Sequence, residues 1–128
     1  MGDRAIIVLT DNTGDISSCG VYLHWNGQEA PEFVRKAIPR MRRGDVDYSM
    51  ARLIGELDRA VPGNTSLGVV PPPKKEDFEN RANGGLKKYS QGDRGIVVFN
   101  IDSGEMNVYA GYIQQNEIFP LTCEVPPG

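Results

Sequence analysis

Apolar residues follow two different spacings along this chain, and the change from one to the other divides it into elements. Short apolar runs, rich in β-branched residues, predict strands at 5–10, 21–25, 67–70, 95–101 and 106–113. Between the second and third runs, apolar residues recur every three to four positions, which predicts two helices. Their apolar stripes are Phe33, Val34, Ala37, Ile38 and Met41, then Met50, Leu53, Ile54, Leu57 and Val61.

Prolines and acidic residues set the expected ends of these helices, and one glycine lies inside the second helix. Pro31 suits the first turn of the first helix, whereas Pro39 predicts a kink or an early end. Asp45 or Asp47 is expected to cap the second helix. Gly55, inside that helix, costs about 1 kcal/mol relative to alanine and therefore indicates a close packing contact.

This pattern predicts an α+β fold with a single antiparallel sheet, in the order β-β-α-α-β-β-β, and two helices packed on one face. Strands 5–10 and 21–25 are expected to form one hairpin, and strands 95–101 and 106–113 a second one. A further edge strand is expected at 118–121. Residues 71–93 begin with three prolines and are otherwise polar, so we expect a long, mobile surface excursion with at most a short helix around 76–81. The second face of the sheet is then solvated or covered by a partner. Residues 1–128 form one domain with a short C-terminal tail.

The segment 22–27 holds the only histidine and the only tryptophan. Because side chains alternate along a strand, His24 and Trp25 are expected on opposite faces. We expect Trp25 in the core and His24 outside it, beside Tyr22 and Asn26. This polar-aromatic row is a candidate binding site, and the plainer interpretation is an exposed histidine with one hydrogen bond.

Basic residues gather within nine positions, although the net charge of the chain is −3. The cluster consists of Arg35, Lys36, Arg40, Arg42 and Arg43, and Arg52 extends it along the second helix. It is a candidate surface for phosphates or an acidic partner, and a solvated helix face paired with acids such as Glu32 is the alternative. The net acidity argues against a dedicated DNA-binding protein.

Catalytic and metal-binding patterns are absent from the sequence. One histidine and two distant cysteines, Cys19 and Cys123, do not make a zinc site, and Cys19 and His24 fall on opposite strand faces. We therefore expect no catalytic residue, no metal and no cofactor. The chain begins without a signal peptide and has no membrane span, so we expect a cytoplasmic protein with free thiols.

Several short segments carry a resemblance. Arg4-Ala5-Ile6-Ile7, followed by Asp11 and by Tyr22-Leu23-His24-Trp25-Asn26-Gly27, resembles small uncharacterised bacterial and phage proteins with an R-A-x-I strand, an acidic turn and a Y-x-H-W-[DN]-G segment. Asp47-Tyr48 and Ala51-Arg52-Leu53-Ile54 are similar to the next helix of those proteins. The resemblance covers about the first 55 residues. It implies a bacterial or phage source and brings no assigned activity. By analogy, small acidic phage proteins often inhibit host systems, including CRISPR systems.

The preferred expectation is thus a non-catalytic binding protein, encoded by a phage or mobile element, that blocks a host protein or protein–nucleic-acid complex. One alternative is a small enzyme or small-ligand-binding protein that uses His24 with Tyr22 and Asn26. The other is a homo-oligomeric structural protein whose open sheet face pairs with a second copy.

Overall fold

The computed structural model describes residues 3–60, 67–90, 92–113 and 125. Its strands are β1 (Ala5–Thr10), β2 (Gly20–Leu23), β3 (Leu67–Val70), β4 (Ile96–Asn100) and β5 (Met106–Tyr109). Its helices are α1 (Ala30–Ala37), α2 (Val46–Ala60) and α3 (Lys75–Glu79), with short 3-10 turns between elements. The protein is α+β, as predicted. The strand expected at 118–121 lies outside the described residues.

The sheet has five strands in the order β3-β2-β1-β4-β5, and it is mixed. The predicted hairpin pairings β1–β2 and β4–β5 are antiparallel, but β1 and β4 at the centre run parallel. The expectation of a wholly antiparallel sheet is therefore wrong. Since β2 occupies one edge of β1, β4 joins the other edge after a long connection, and parallel pairing requires such a connection.

The short helix allowed for around 76–81 is present as α3, between β3 and β4, although the predicted order of elements did not include it. β3 is antiparallel to β2 and hence runs in the same direction as β1 and β4. The chain leaves β3 at one end of the sheet and must enter β4 at the other. Residues 71–93 therefore have to run along the length of the sheet.

Helices α1 and α2 cover one face of the sheet and form the larger core. Leu53 and Leu57 of α2 are fully buried there with Ile7 and Phe99 of the central strands. α1 ends at Ala37, and a 3-10 turn from Ile38 to Arg40 contains Pro39, which confirms the early end. The Asp45 carboxylate accepts the backbone N–H of Tyr48 at 3.0 Å and caps α2.

The second face of the sheet has a smaller core of its own. Ile6, Val8, Ile96 and Val98 point to this face and pack with Phe78 and Leu86 from the segment 71–93. Phe78 is 3% exposed and Leu86 is 1% exposed. The segment expected to be a mobile excursion thus contributes buried side chains, and the chain itself covers the face that we expected to be open.

Candidate interaction surface

Trp25 does not lie in the core. Its side chain is 48% exposed, and it is more exposed than His24, which is half-buried. The expectation of a buried Trp25 beside a more exposed His24 is therefore wrong. β2 ends at Leu23, and the chain then bends through Asn26, whose φ of 67° is left-handed. The alternation of a strand stops at Leu23, and the bend directs the indole to solvent.

The structure does bring Tyr22 and His24 together. The Tyr22 hydroxyl and Nδ1 of His24 are joined by a hydrogen bond of 2.8 Å. The imidazole meets the Trp25 ring edge-on, with 4.6 Å between the ring centroids. Asn26 does not join this group, since its amide donates to Glu29. The row is therefore a histidine held between two aromatic rings.

Two crossed ion pairs lie at the start of β1 and β4, and they were not predicted. Arg4 Nε contacts Asp93 Oδ2 at 2.8 Å, and Arg94 Nε contacts Asp3 Oδ1 at 2.5 Å. The hydrogen bonds from Arg4 hold the pKa of Asp93 below its ordinary value, and they raise the pKa of Arg4. These four charges neutralise one another in pairs.

The predicted basic cluster at 35–43 is divided in the structure. Arg35 forms an ion pair with Glu32, and Arg43 Nε donates to the carbonyl of Val125 at 2.7 Å. Lys36 is exposed and lines a separate depression with Arg59. These residues do not form one continuous basic face.

Two arginines of the predicted set, Arg42 and Arg52, both pack against the ring of Tyr48. The guanidinium carbons of Arg42 and Arg52 lie 4.1 and 4.9 Å from the centroid of the Tyr48 ring. Arg52 Nη2 also donates to the Tyr48 hydroxyl at 3.0 Å. Tyr48 and Arg52 are one helical turn apart, so the helix itself places them side by side. We call Arg42, Tyr48 and Arg52 the Arg–Tyr–Arg surface.

Arg42 reaches Tyr48 because a buried serine fixes the loop before α2. Ser49 is fully buried; its hydroxyl accepts from the backbone N–H of Arg42 at 3.0 Å and donates to the carbonyl of the same residue at 3.1 Å. This pair of hydrogen bonds holds residue 42 against the first turn of α2. Sequence analysis missed Tyr48, although its spacing of four from Arg52 is a usable signal.

Neither arginine of the Arg–Tyr–Arg surface forms an ion pair with a carboxylate within the part of the chain that the structure describes. The ion pairs found there join other residues, and both Arg42 and Arg52 are exposed. A guanidinium binds a carboxylate or phosphate through two parallel hydrogen bonds. Two guanidinium groups packed on one tyrosine can therefore bind an anionic group of another molecule together.

Other kinds of site find little support in the described residues. Within 3–60, 67–90, 92–113 and 125, no group of three or more His, Cys, Asp or Glu side chains is placed to hold a metal ion. Burial raises the pKa of the Cys19 thiol, which disfavours the reactive thiolate. None of the helices in these ranges combines the length and apolar character needed to cross a membrane.

The chain matches no protein-family model, no curated protein and no solved structure. Its function is therefore inferred from the geometry and charge of its own surfaces.

Proposed function

We propose that this is a non-catalytic binding protein that uses the Arg–Tyr–Arg surface to hold an acidic surface of another protein. The observation that carries the proposal is the convergence of two exposed guanidinium groups on Tyr48 without a carboxylate partner in the described residues. Two like charges held close together repel each other, and a bound anion relieves that repulsion. Arginine and tyrosine are also enriched among the residues that dominate binding energy in protein interfaces.

A protein partner fits these charges better than free nucleic acid does. Binding to a nucleic-acid backbone depends on many phosphate contacts along a basic groove or stripe. This chain has a net charge of −3, and Arg35, Lys36 and Arg43 lie apart from the Arg–Tyr–Arg surface or are engaged elsewhere. A compact basic surface on an acidic protein favours a compact acidic partner.

The resemblance to small bacterial and phage proteins adds a class of partner to the proposal. The partner is then a host protein, alone or in a complex with nucleic acid, and binding blocks its function. Inhibition by occupation needs a rigid surface and no chemistry. The hydrogen bonds from Ser49 to residue 42 and the cap at Asp45 supply that rigidity.

The test is affinity capture from a bacterial lysate with three forms of the tagged protein. These are the wild type, Arg42→Glu/Arg52→Glu, and the control Lys36→Glu/Arg59→Glu. Both double variants change the net charge equally, but only the first removes the Arg–Tyr–Arg surface. We expect the wild type and the control to retain the same protein, identified by mass spectrometry, and the first variant to lose it.

Equal retention by both variants would remove the Arg–Tyr–Arg surface from consideration. Melting curves should differ little among the three forms, because exposed charges contribute little to folding. Capture of nucleic acid without protein would replace the acidic-protein partner by a nucleic acid. Turnover of a substrate that disappears in His24→Ala would instead support the small enzyme.

A further inference from the structure

An apolar cavity of about 270 Å³ opens on the second face of the sheet. Its floor consists of Ile6 and Val8 of β1 and Ile96 of β4. Its sides include Pro71 and Pro73, from the extended segment that follows β3. The cavity thus lies between the two central strands and the start of the connection that runs back along the sheet.

A hydrogen-bonded tyrosine fixes the remaining wall. The Tyr89 hydroxyl accepts from the backbone N–H of Lys74 at 3.0 Å and donates to Asp77 Oδ2 at 2.5 Å. Lys88 Nζ forms an ion pair with the same carboxylate oxygen at 3.0 Å. The proline rings fix the backbone φ of one wall, and these contacts fix the position of the Tyr89 ring in the other.

The lining determines which ligands can bind. Every side chain around the cavity is aliphatic except Tyr89, and the Tyr89 hydroxyl already uses its donor and one acceptor site within the protein. A charged or strongly polar ligand would lose water without gaining hydrogen bonds from the side chains of the lining. An apolar ligand has no hydrogen bonds to water to lose, and the burial of its surface in the cavity is favourable.

The volume sets the size of the ligand. An apolar protein cavity of about 150 Å³ accommodates benzene. The cavity here is larger, at about 270 Å³, and it corresponds to two fused rings or a branched hydrocarbon of similar size.

We propose that this cavity is a binding site for a small, uncharged, apolar molecule of about the size of two fused aromatic rings. The site is separate from the Arg–Tyr–Arg surface, because α2 lies on the opposite face of the sheet. Failure of one proposal therefore leaves the other intact.

The test is a titration of the full chain with indole, followed by methyl NMR. We expect saturable shifts of the methyl signals of Ile6, Val8 and Ile96, and no shifts of Leu53 or Leu57 under the helices. Purine has the same two-ring size but polar ring nitrogens. It should bind about tenfold more weakly or worse, because the lining offers its nitrogens no matching donors.

A pair of neighbouring valines supplies matched variants. Val70 lines the cavity, whereas the Val69 side chain is 64% exposed and points to the other side of β3. Val70→Phe should fill the cavity and abolish the indole shifts, and Val69→Phe should leave them unchanged. The wild-type titration decides the question even if Val70→Phe fails to fold.

Shifts that do not saturate, or that appear equally under the helices, would overturn the proposal. Equal affinity for purine would contradict the apolar class of ligand. Retention of indole binding in a folded Val70→Phe variant would place the ligand elsewhere.

Discussion

Single residues in this protein take their roles from the partners that the fold gives them. Trp25 is apolar, yet it is exposed because the strand ends two residues before it. Asp45 caps α2 because its carboxylate meets a free backbone N–H. Asp93 and Arg4 are ordinary charged residues in the sequence, and only their contact changes the pKa of both.

The Arg4–Asp93 pair makes a prediction about pH. Since the pKa of Asp93 in the folded protein lies below its ordinary value of 3.8, the pair stabilises the fold above that pH. The stabilisation is lost as the pH falls through the lowered pKa. In Arg4→Gln we expect the Asp93 carboxyl signal, followed by ¹³C NMR, to titrate at a higher pH, toward 3.8.

Asp77 supplies the internal control for this titration. Its pKa is lowered by hydrogen bonds from Tyr89 and Lys88, and Arg4 is not among the causes. Its midpoint should therefore be the same in the wild type and in Arg4→Gln. A wild-type Asp93 that titrates at or above 3.8 would show that the Arg4 contact is not formed in solution.

Among the elements, α2 shows how far local patterns go. Met50, Leu53 and Leu57 of its predicted apolar stripe are buried, and Asp45 is its cap; Val61, the last residue of that stripe, lies outside the described residues. The expectation for its glycine is wrong: we expected a close contact at Gly55, and a Cβ built at that position meets no atom within 4 Å. Gly55 is exposed, so nothing in its surroundings requires glycine.

Gly55→Ala should therefore stabilise the protein by up to about 1 kcal/mol, because alanine favours the helix and glycine does not. Gly44→Ala is the matched control. A Cβ there also meets open space, but φ is +75°, a conformation that costs alanine about 1–2 kcal/mol. Urea denaturation should show opposite signs for the two variants; destabilisation by Gly55→Ala would mean that the helix face at Gly55 is covered.

For the whole molecule, the main feature is a sheet with a core on each face. The larger core lies under α1 and α2, and the smaller one lies under the segment 71–93. The smaller core exists because β3 ends at the far end of the sheet from the start of β4, so the connection crosses the face and buries its apolar side chains.

The two-core arrangement predicts that both faces contribute to one folding transition. Leu53→Ala and Leu86→Ala remove side chains that are 0% and 1% exposed, and each should cost about 2–5 kcal/mol. The double variant should lose the sum of the two, to within about 0.5 kcal/mol, because the sheet separates the sites. Chemical denaturation measures all three values.

Lys75→Ala, on the exposed side of α3, is the control for Leu86→Ala and should change the stability little. A loss below about 0.5 kcal/mol for Leu86→Ala would mean that the segment 71–93 lies loosely on the surface. Such a result would also weaken the proposal of a binding site in the cavity, because that segment forms two of the cavity walls.

Part of the candidate site was accessible from the sequence. Tyr22 and His24 were grouped from the sequence because they are two residues apart, and the structure joins them by a hydrogen bond although β2 ends between them at Leu23. The meeting of Arg42 with Tyr48 was not accessible, because it depends on Ser49 holding a loop residue seven positions earlier. The cavity depends on three segments that are distant in the sequence.

The sequence by itself determined the local elements: all five strands, four of them to within two residues at each end, both long helices, the early end at Pro39 and the two hairpins. These features depend on backbone preferences and on periods of 2 and 3.6 residues, which a short window contains. Only the tertiary structure decided the parallel pairing of β1 with β4, the second core and the exposure of Trp25. Each of these depends on which segment, distant in the sequence, packs against a given strand edge or sheet face.

Two identical dipeptides, distant in the sequence, meet in the fold. Asp3-Arg4 and Asp93-Arg94 each precede a central strand, and because β1 and β4 run parallel the two dipeptides meet at the same end of the sheet. Equivalent positions carry the same charge, so each arginine pairs diagonally with the aspartate of the other dipeptide, and the charges alone do not specify the direction of the strands. The two ion pairs exist only in the folded protein, because the charges attract each other appreciably only once the two strands lie side by side.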